Sequence, residues 1–173
     1  MNLLDGEQIR HLFDELSDEL ARRGTRAEIF LVGGAAMALA YDARRATRDI
    51  DAVFQPKEEV YAAAAVVAVR HNLPGDWLND GVKGFLPGDD PQARQVYESD
   101  SLRVDVASPE YLLAMKLLAA REQDVDDIVL LYRLCGFTSA AQGLDLVESV
   151  YPGRAIAPKV QFLLEEFFGP TMP

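Results

Sequence analysis

The sequence predicts an α+β fold, a small mixed β-sheet flanked by helices with a C-terminal helical part behind it. Three observations carry this prediction. Apolar residues Leu3, Leu4, Ile9, Leu12, Phe13, Leu16 and Leu20 recur at helical spacing near the N-terminus. Short apolar runs of strand length appear at 29–32, 50–54 and 102–106, with helical patterns between them. From Ser108 onward the chain carries helix caps and helical periodicity and no strand signal.

In order, residues 4–22 form the first predicted helix, with one buried stripe and Gly24 beyond its end. Residues 29–32 form a strand, 34–41 a helix and 50–54 a second strand. Pro56 opens a helix over 57–71. Residues 72–95 are rich in Gly, Pro, Asp and Asn and predict a long connection with a helical turn near Trp77, in which Trp77 could stack on a base and Lys83 meet phosphate, although a loop anchored to the core by Trp77 is the favoured reading. Residues 96–99 and 102–106, parted by Asp100 and Ser101, predict a hairpin. Ser108 and Pro109 are a suitable N-cap and first-turn pair for a helix reaching about residue 121. Asp124 and Asp127 open the next, which stops at Gly136. Helices over 138–150 and 158–168 complete the chain.

With 173 residues, 49% of them hydrophobic, the chain can bury a sizeable core. The expected organisation is one compact unit: a core with its N-terminal helix at 1–107 and a helical part, 108–173, packed on it. The lone Cys135 excludes an internal disulfide and fits a reducing cytoplasm. Only His11 and His71 are present, which argues against a histidine-rich zinc site and leaves a Ser-His-Asp triad little to choose from; His71 reads as a residue at the C-terminal end of a helix dipole. The N-terminus lacks the composition of a signal peptide, and the longest small apolar run, 62–69, falls far short of the ~20 residues of a membrane span. A soluble, cytoplasmic protein is expected. The net charge of −11 argues against an extended nucleic-acid surface, although Arg22, Arg23 and Arg26, and Arg44, Arg45 and Arg48, form local basic groups that could meet phosphate.

The chemistry concentrates in residues 31–54, LVGGAAMALAYDARRATRDIDAVF. Gly33 and Gly34 stand between strand and helix, where glycine lets the backbone approach a phosphate. Arg45, Thr47, Asp49 and Asp51 follow at intervals of two. Asp49 and Asp51 on a strand share a face, with Cα atoms roughly 7 Å apart. Transfer at a triphosphate with two cations about 4 Å apart needs a further acidic ligand. Asp105 is the candidate, an acid inside an apolar strand pattern and costly to bury without a metal or base beside it.

This series, Gly33-Gly34, then Arg45-x-Thr47-x-Asp49-x-Asp51, then Asp105, resembles the DNA polymerase β-type nucleotidyltransferase superfamily. More closely it is similar to the small bacterial AbiEii/MenT-type nucleotidyltransferases of toxin–antitoxin systems. Lys116 on its helix, followed by the D-x-x-D-I element at Asp124 and Asp127, adds to the resemblance, which spans about 30–131. It implies that Asp49 and Asp51 ligate Mg²⁺ (or Mn²⁺), with Asp105 completing the site of the metal that activates the acceptor. Gly33 and Gly34 would cradle the NTP triphosphate beside Arg45 and Thr47, with Arg45 or Lys116 balancing its charge. Asp127, or else Asp124, would fill the last motif and orient Lys116 or Arg121.

The resemblance implies a nucleotidyltransferase acting as the toxin of a toxin–antitoxin pair, with an antitoxin partner and with tRNA, a protein or a small molecule as acceptor. Gly34 and Ala35 lack the hydroxyl that many members carry there. That departure motivates one alternative, a catalytically weak nucleotide- or partner-binding protein keeping the fold; the acidic charge and short chain allow another, a small-molecule nucleotidyltransferase.

Overall fold

A computed structural model describes residues 3–42 and 44–169. Ala43, within the motif segment, and the two termini lie outside them. The fold is α+β. The chain divides into two compact units, 1–84 with 91–107, and 85–90 with 108–173.

In the first unit, helix α1 (Gly6–Arg22) starts where a reciprocal cap closes. The Asp5 carboxylate accepts from Gln8 N at 2.9 Å, and the Gln8 side chain accepts from Asp5 N at 3.0 Å. The cap consumes the backbone that the expected helix start at residue 4 needed. Leu4–Asp5 is instead strand β1, paired antiparallel with β3 (Ala46–Thr47), with Leu4 opposite Thr47.

The main sheet comprises β2 (Ala27–Leu31), β4 (Ile50–Gln55), β5 (Leu78–Asn79), β6 (Arg94–Glu98) and β7 (Leu102–Val106), in the order β5-β4-β2-β7-β6. β2 runs antiparallel to β4 and parallel to β7, so the sheet is mixed. Its two faces differ in chemistry. Ala27, Ile29, Leu31, Ile50, Ala52, Phe54, Leu102, Val104 and Val106 are buried on one. Glu28, Phe30, Asp51, Val53, Arg103 and Asp105 alternate with them and retain exposure on the other. Each Leu, Ile or Phe fully buried contributes about 1.5–3 kcal/mol. A one-residue slip of β4 or β7 would exchange this apolar row for the acidic one, so the register is strongly specified.

Helix α3 (Lys57–His71) packs on α1 and on β4, and α1 also reaches β7. It ends at Asn72, which adopts the left-handed conformation at φ 52°. The connection that follows carries more structure than expected. Trp77 is buried and donates from Nε1 to Ala64 O at 3.0 Å, and Leu78–Asn79 adds β5 parallel to β4. The expected helix over 34–41 is two pieces, α2 (Gly33–Ala36) and a π-helical turn, Met37–Tyr41. Tyr41 OH donates to Ala107 O at 2.7 Å.

The second unit is helical: α4 (Pro109–Ala119), α5 (Val125–Leu134), α6 (Ala140–Val150) and α7 (Pro158–Phe168). Ser108 Oγ accepts from Tyr111 N at 3.3 Å to cap α4, and Ala120 in the left-handed region at φ 53° ends it earlier than expected. A 3₁₀ turn, Glu122–Asp124, precedes α5. α4 contacts α5 and α6, α6 contacts α7, and buried Tyr132 stacks on Phe168 with ring centroids 3.9 Å apart.

Candidate active site

Strand alternation places Asp51 and Asp105 on the same, less buried face of the sheet. In the ladders Phe30 lies opposite Val53 on β4 and opposite Asp105 on β7, and Asp51 is two residues from Val53. Ladder spacing sets the Asp51 and Asp105 Cα atoms about 12 Å apart, diagonally across β2. Asn79 pairs with Asp51 from β5, and Gln95 pairs with Asp105 from β6. This face therefore carries an acid on each strand flanking β2, with amides on the strands outside them.

The glycine turn abuts that face. Val32 N donates to Asp51 O at 3.0 Å, which ties the end of β2 to the start of β4. Gly33 follows at φ +64°, and a Cβ there would lie 3.1 Å from Asp51 Oδ2. The absence of a side chain thus lets the turn rest against the carboxylate. At Gly34 a Cβ would lie 2.9 Å from Thr47 Oγ1. The space that a longer residue 34 would enter holds the Thr47 hydroxyl. That hydroxyl donates to Asp49 O at 3.0 Å and so braces the bend that presents Asp49, which is exposed.

Asp105 is held differently. Arg103, two residues away on the same strand face, grips it with two bonds, Nε to Oδ2 at 2.9 Å and Nη2 to Oδ1 at 3.1 Å. The hydrogen bond to Asp105 raises the Arg103 pKa above its ordinary value. A cation at Asp105 has to compete with this guanidinium. The donors Asp49, Asp51 and Asp105 are hard carboxylate oxygens, which suit Mg²⁺ or Mn²⁺. Their ligand atoms do not all lie within 4.8 Å of one another; among the described residues His11, Glu15 and His71 form a trio that does.

Arg45 is partly buried, 3.9 Å from Asp42. Lys116 and Asp127 belong to the second unit. There Lys116 Nζ lies 2.6 Å from Asp124 Oδ1 and 2.9 Å from Asp127 Oδ2, with all three side chains only 11–12% exposed. Both acids of the D-x-x-D element therefore engage Lys116. Arg121, the other base considered, is exposed.

Sequence inspection missed Arg103, although its position two residues before Asp105 on a strand was a usable signal. Asn79 had none, because a two-residue strand inside a Gly- and Pro-rich segment has no periodicity to read.

A mixed α+β core, an acidic pair on one sheet face and a glycine turn pressed on one of its carboxylates accord with the nucleotidyltransferase class expected from the sequence. The particular family follows from comparison: residues 7–131 match the model described as "Nucleotidyltransferase of unknown function (DUF6036)", and the chain belongs to that family. The match includes Gly33, Gly34, Arg45, Thr47, Asp49, Asp51, Asp105, Lys116 and Asp127. No curated protein and no solved structure matches the chain. Among the described residues no helix is long and apolar enough to cross a membrane.

Proposed function

We propose that the protein transfers a nucleoside monophosphate from an NTP to a hydroxyl acceptor with Mg²⁺ or Mn²⁺, as the toxin of a bacterial toxin–antitoxin pair. The observation that carries the chemistry is the shared sheet face of Asp51 and Asp105, with the Gly33 turn against the Asp51 carboxylate. The toxin role and the antitoxin partner rest on the resemblance of the motif series to the AbiEii/MenT-type enzymes.

In this scheme Asp49, Asp51 and Asp105 would hold the cations, whose charge would neutralise the triphosphate and activate the acceptor oxygen. Gly33 and Gly34 offer backbone N–H groups to phosphate oxygens without side chains in the way. The Thr47 hydroxyl stands beside Gly34, so the hydroxyl that residue 34 lacks has a neighbour able to replace it. Arg45 balances phosphate charge, while Asp124 and Asp127 hold Lys116 in a fixed place. The acceptor oxygen bonds to the α-phosphorus, the bond from that phosphorus to the bridging oxygen breaks, pyrophosphate leaves, and the acceptor proton passes to Asp105 or to solvent.

The Arg103 grip on Asp105 favours one competing reading, a protein that binds nucleotide or a partner and turns over weakly. Incubation of the protein with each α-labelled NTP, Mg²⁺ and cell extract separates the cases. Label in tRNA, in protein or in a small molecule identifies the acceptor. NTP binding without label transfer supports the weak-turnover reading, and absence of both transfer and metal-dependent NTP binding contradicts the enzyme.

A further inference from the structure

We propose that His11, Glu15 and His71 form a zinc site that clips α1 to α3, separate from the acidic sheet face. His11 and Glu15 are four residues apart on α1 and so share one face of it. His71 is the last residue of α3, the helix packed on α1. One ligand atom from each side chain lies within 4.8 Å of the other two. Three atoms so spaced leave a point no more than about 2.8 Å from all of them, and small side-chain rotations, freest at exposed His11, bring that to the ~2.0–2.2 Å of zinc–nitrogen and zinc–oxygen bonds. The imidazole rings are already close, with centroids 5.4 Å apart at 84°.

Two histidines are too few for a histidine-rich zinc site. Sixty residues separate the pair in sequence, and the α1–α3 packing brings them together with a carboxylate. Two imidazoles and one carboxylate are a zinc donor set with a fourth position left for water. Imidazole nitrogens disfavour Mg²⁺.

Two features prepare the trio for a cation. His71 Nε2 is shielded from solvent and makes no hydrogen bond, with Glu15 Oε2 3.6 Å away. Glu15 supplies a carboxylate oxygen within 4.8 Å of a ring nitrogen of each imidazole. Arg70 is the competitor, with Nη1 2.7 Å from Glu15 Oε2. It has a second acid to hold, because its Nη2 lies 3.6 Å from Glu19 Oε2. His11 is exposed, which leaves a route from solvent to the trio.

Titration of metal-stripped protein with Zn²⁺ against a chromophoric chelator, paired with thermal melts, tests the site. The expected result is one Zn²⁺ per chain with a dissociation constant below about 1 µM. Tm should rise by about 5–10 °C at a hundredfold excess over that constant, and Mg²⁺ should give no such rise. His11→Ala and His71→Ala should each weaken Zn²⁺ by more than about 100-fold, beyond the cost of losing an outer-shell partner. Asp51→Asn should leave Zn²⁺ binding unchanged. His11 is exposed, so His11→Ala keeps its fold and its result stands if His71→Ala misfolds. No Zn²⁺-dependent shift in the wild type, or an undiminished shift in His11→Ala, overturns the proposal.

Discussion

Gly33 is confined twice, by φ +64° and by the Asp51 carboxylate 3.1 Å from where a Cβ would sit. Positive φ alone costs an alanine about 1–2 kcal/mol, so Gly33→Ala should lower Tm by about 2–8 °C. Because the new methyl also presses on Asp51, nucleotidyl transfer should fall much further than the folded fraction does; parallel melts and label-transfer assays check this. At Asp105 the Arg103 pair is partly exposed, and such pairs are worth roughly 0.2–1 kcal/mol. Arg103→Gln should accordingly lower the Mg²⁺ concentration for half-maximal transfer by up to about fivefold, measured by titration at saturating NTP. Cys135 makes the opposite kind of statement. Burial pushes its thiol up to about 12, so iodoacetamide at pH 8 should modify it far more slowly than an unperturbed thiol, as mass spectrometry over time will show. The glycines and the Asp49–Asp51 pair of the candidate site were legible in the sequence because their spacing is local, and Asp105 because an acid interrupts an apolar strand pattern. The place of Thr47 beside Gly34 was not, since it depends on the β1–β3 pairing, and of the Arg103 clamp only the two-residue strand spacing to Asp105 was readable.

At the scale of elements, packing and caps decide what periodicity leaves open. In the second unit a Cβ on Gly143 of α6 would lie 2.8 Å from Cζ of buried Tyr132 on α5. Overpacking of this kind costs about 1–3 kcal/mol, and Gly143→Ala should lower Tm by about 2–12 °C. In the first unit, Asp80 accepts from Tyr61 OH and pairs with Lys57, which ties α3 to the segment after β5. Its carboxyl is held below the ordinary 3.8, chiefly by Lys57. A depressed acid stabilises fully above its unfolded pKa and loses that contribution as pH falls through the folded value. The Tm difference between wild type and Asp80→Asn should therefore be present at neutral pH and shrink to nothing as pH drops below about 4. The helices over 57–71 and 158–168 could be read residue for residue, because Pro at or beside their starts sets them off sharply. β1, β3 and β5 could not, being two-residue strands that exist only through their partners.

At the scale of the whole molecule, the α+β class followed from the order of strand and helix patterns. The mixed sheet order, with β2 at its centre, depends on pairings distant in sequence. The charge of −11 gives the surface little with which to neutralise phosphates in number. Binding to generic duplex nucleic acid at 0.15 M salt should therefore be weaker than about 10⁻⁴ M. What remains is a local site, and its most direct measurement is metal-dependent transfer from α-labelled NTP by wild type, Asp51→Asn and Glu15→Gln, each verified as folded by its melt. Transfer by the wild type and Glu15→Gln that requires Mg²⁺ or Mn²⁺, and is lost in Asp51→Asn, is the expected result. Transfer undiminished in Asp51→Asn would contradict the placement of the site on this sheet face.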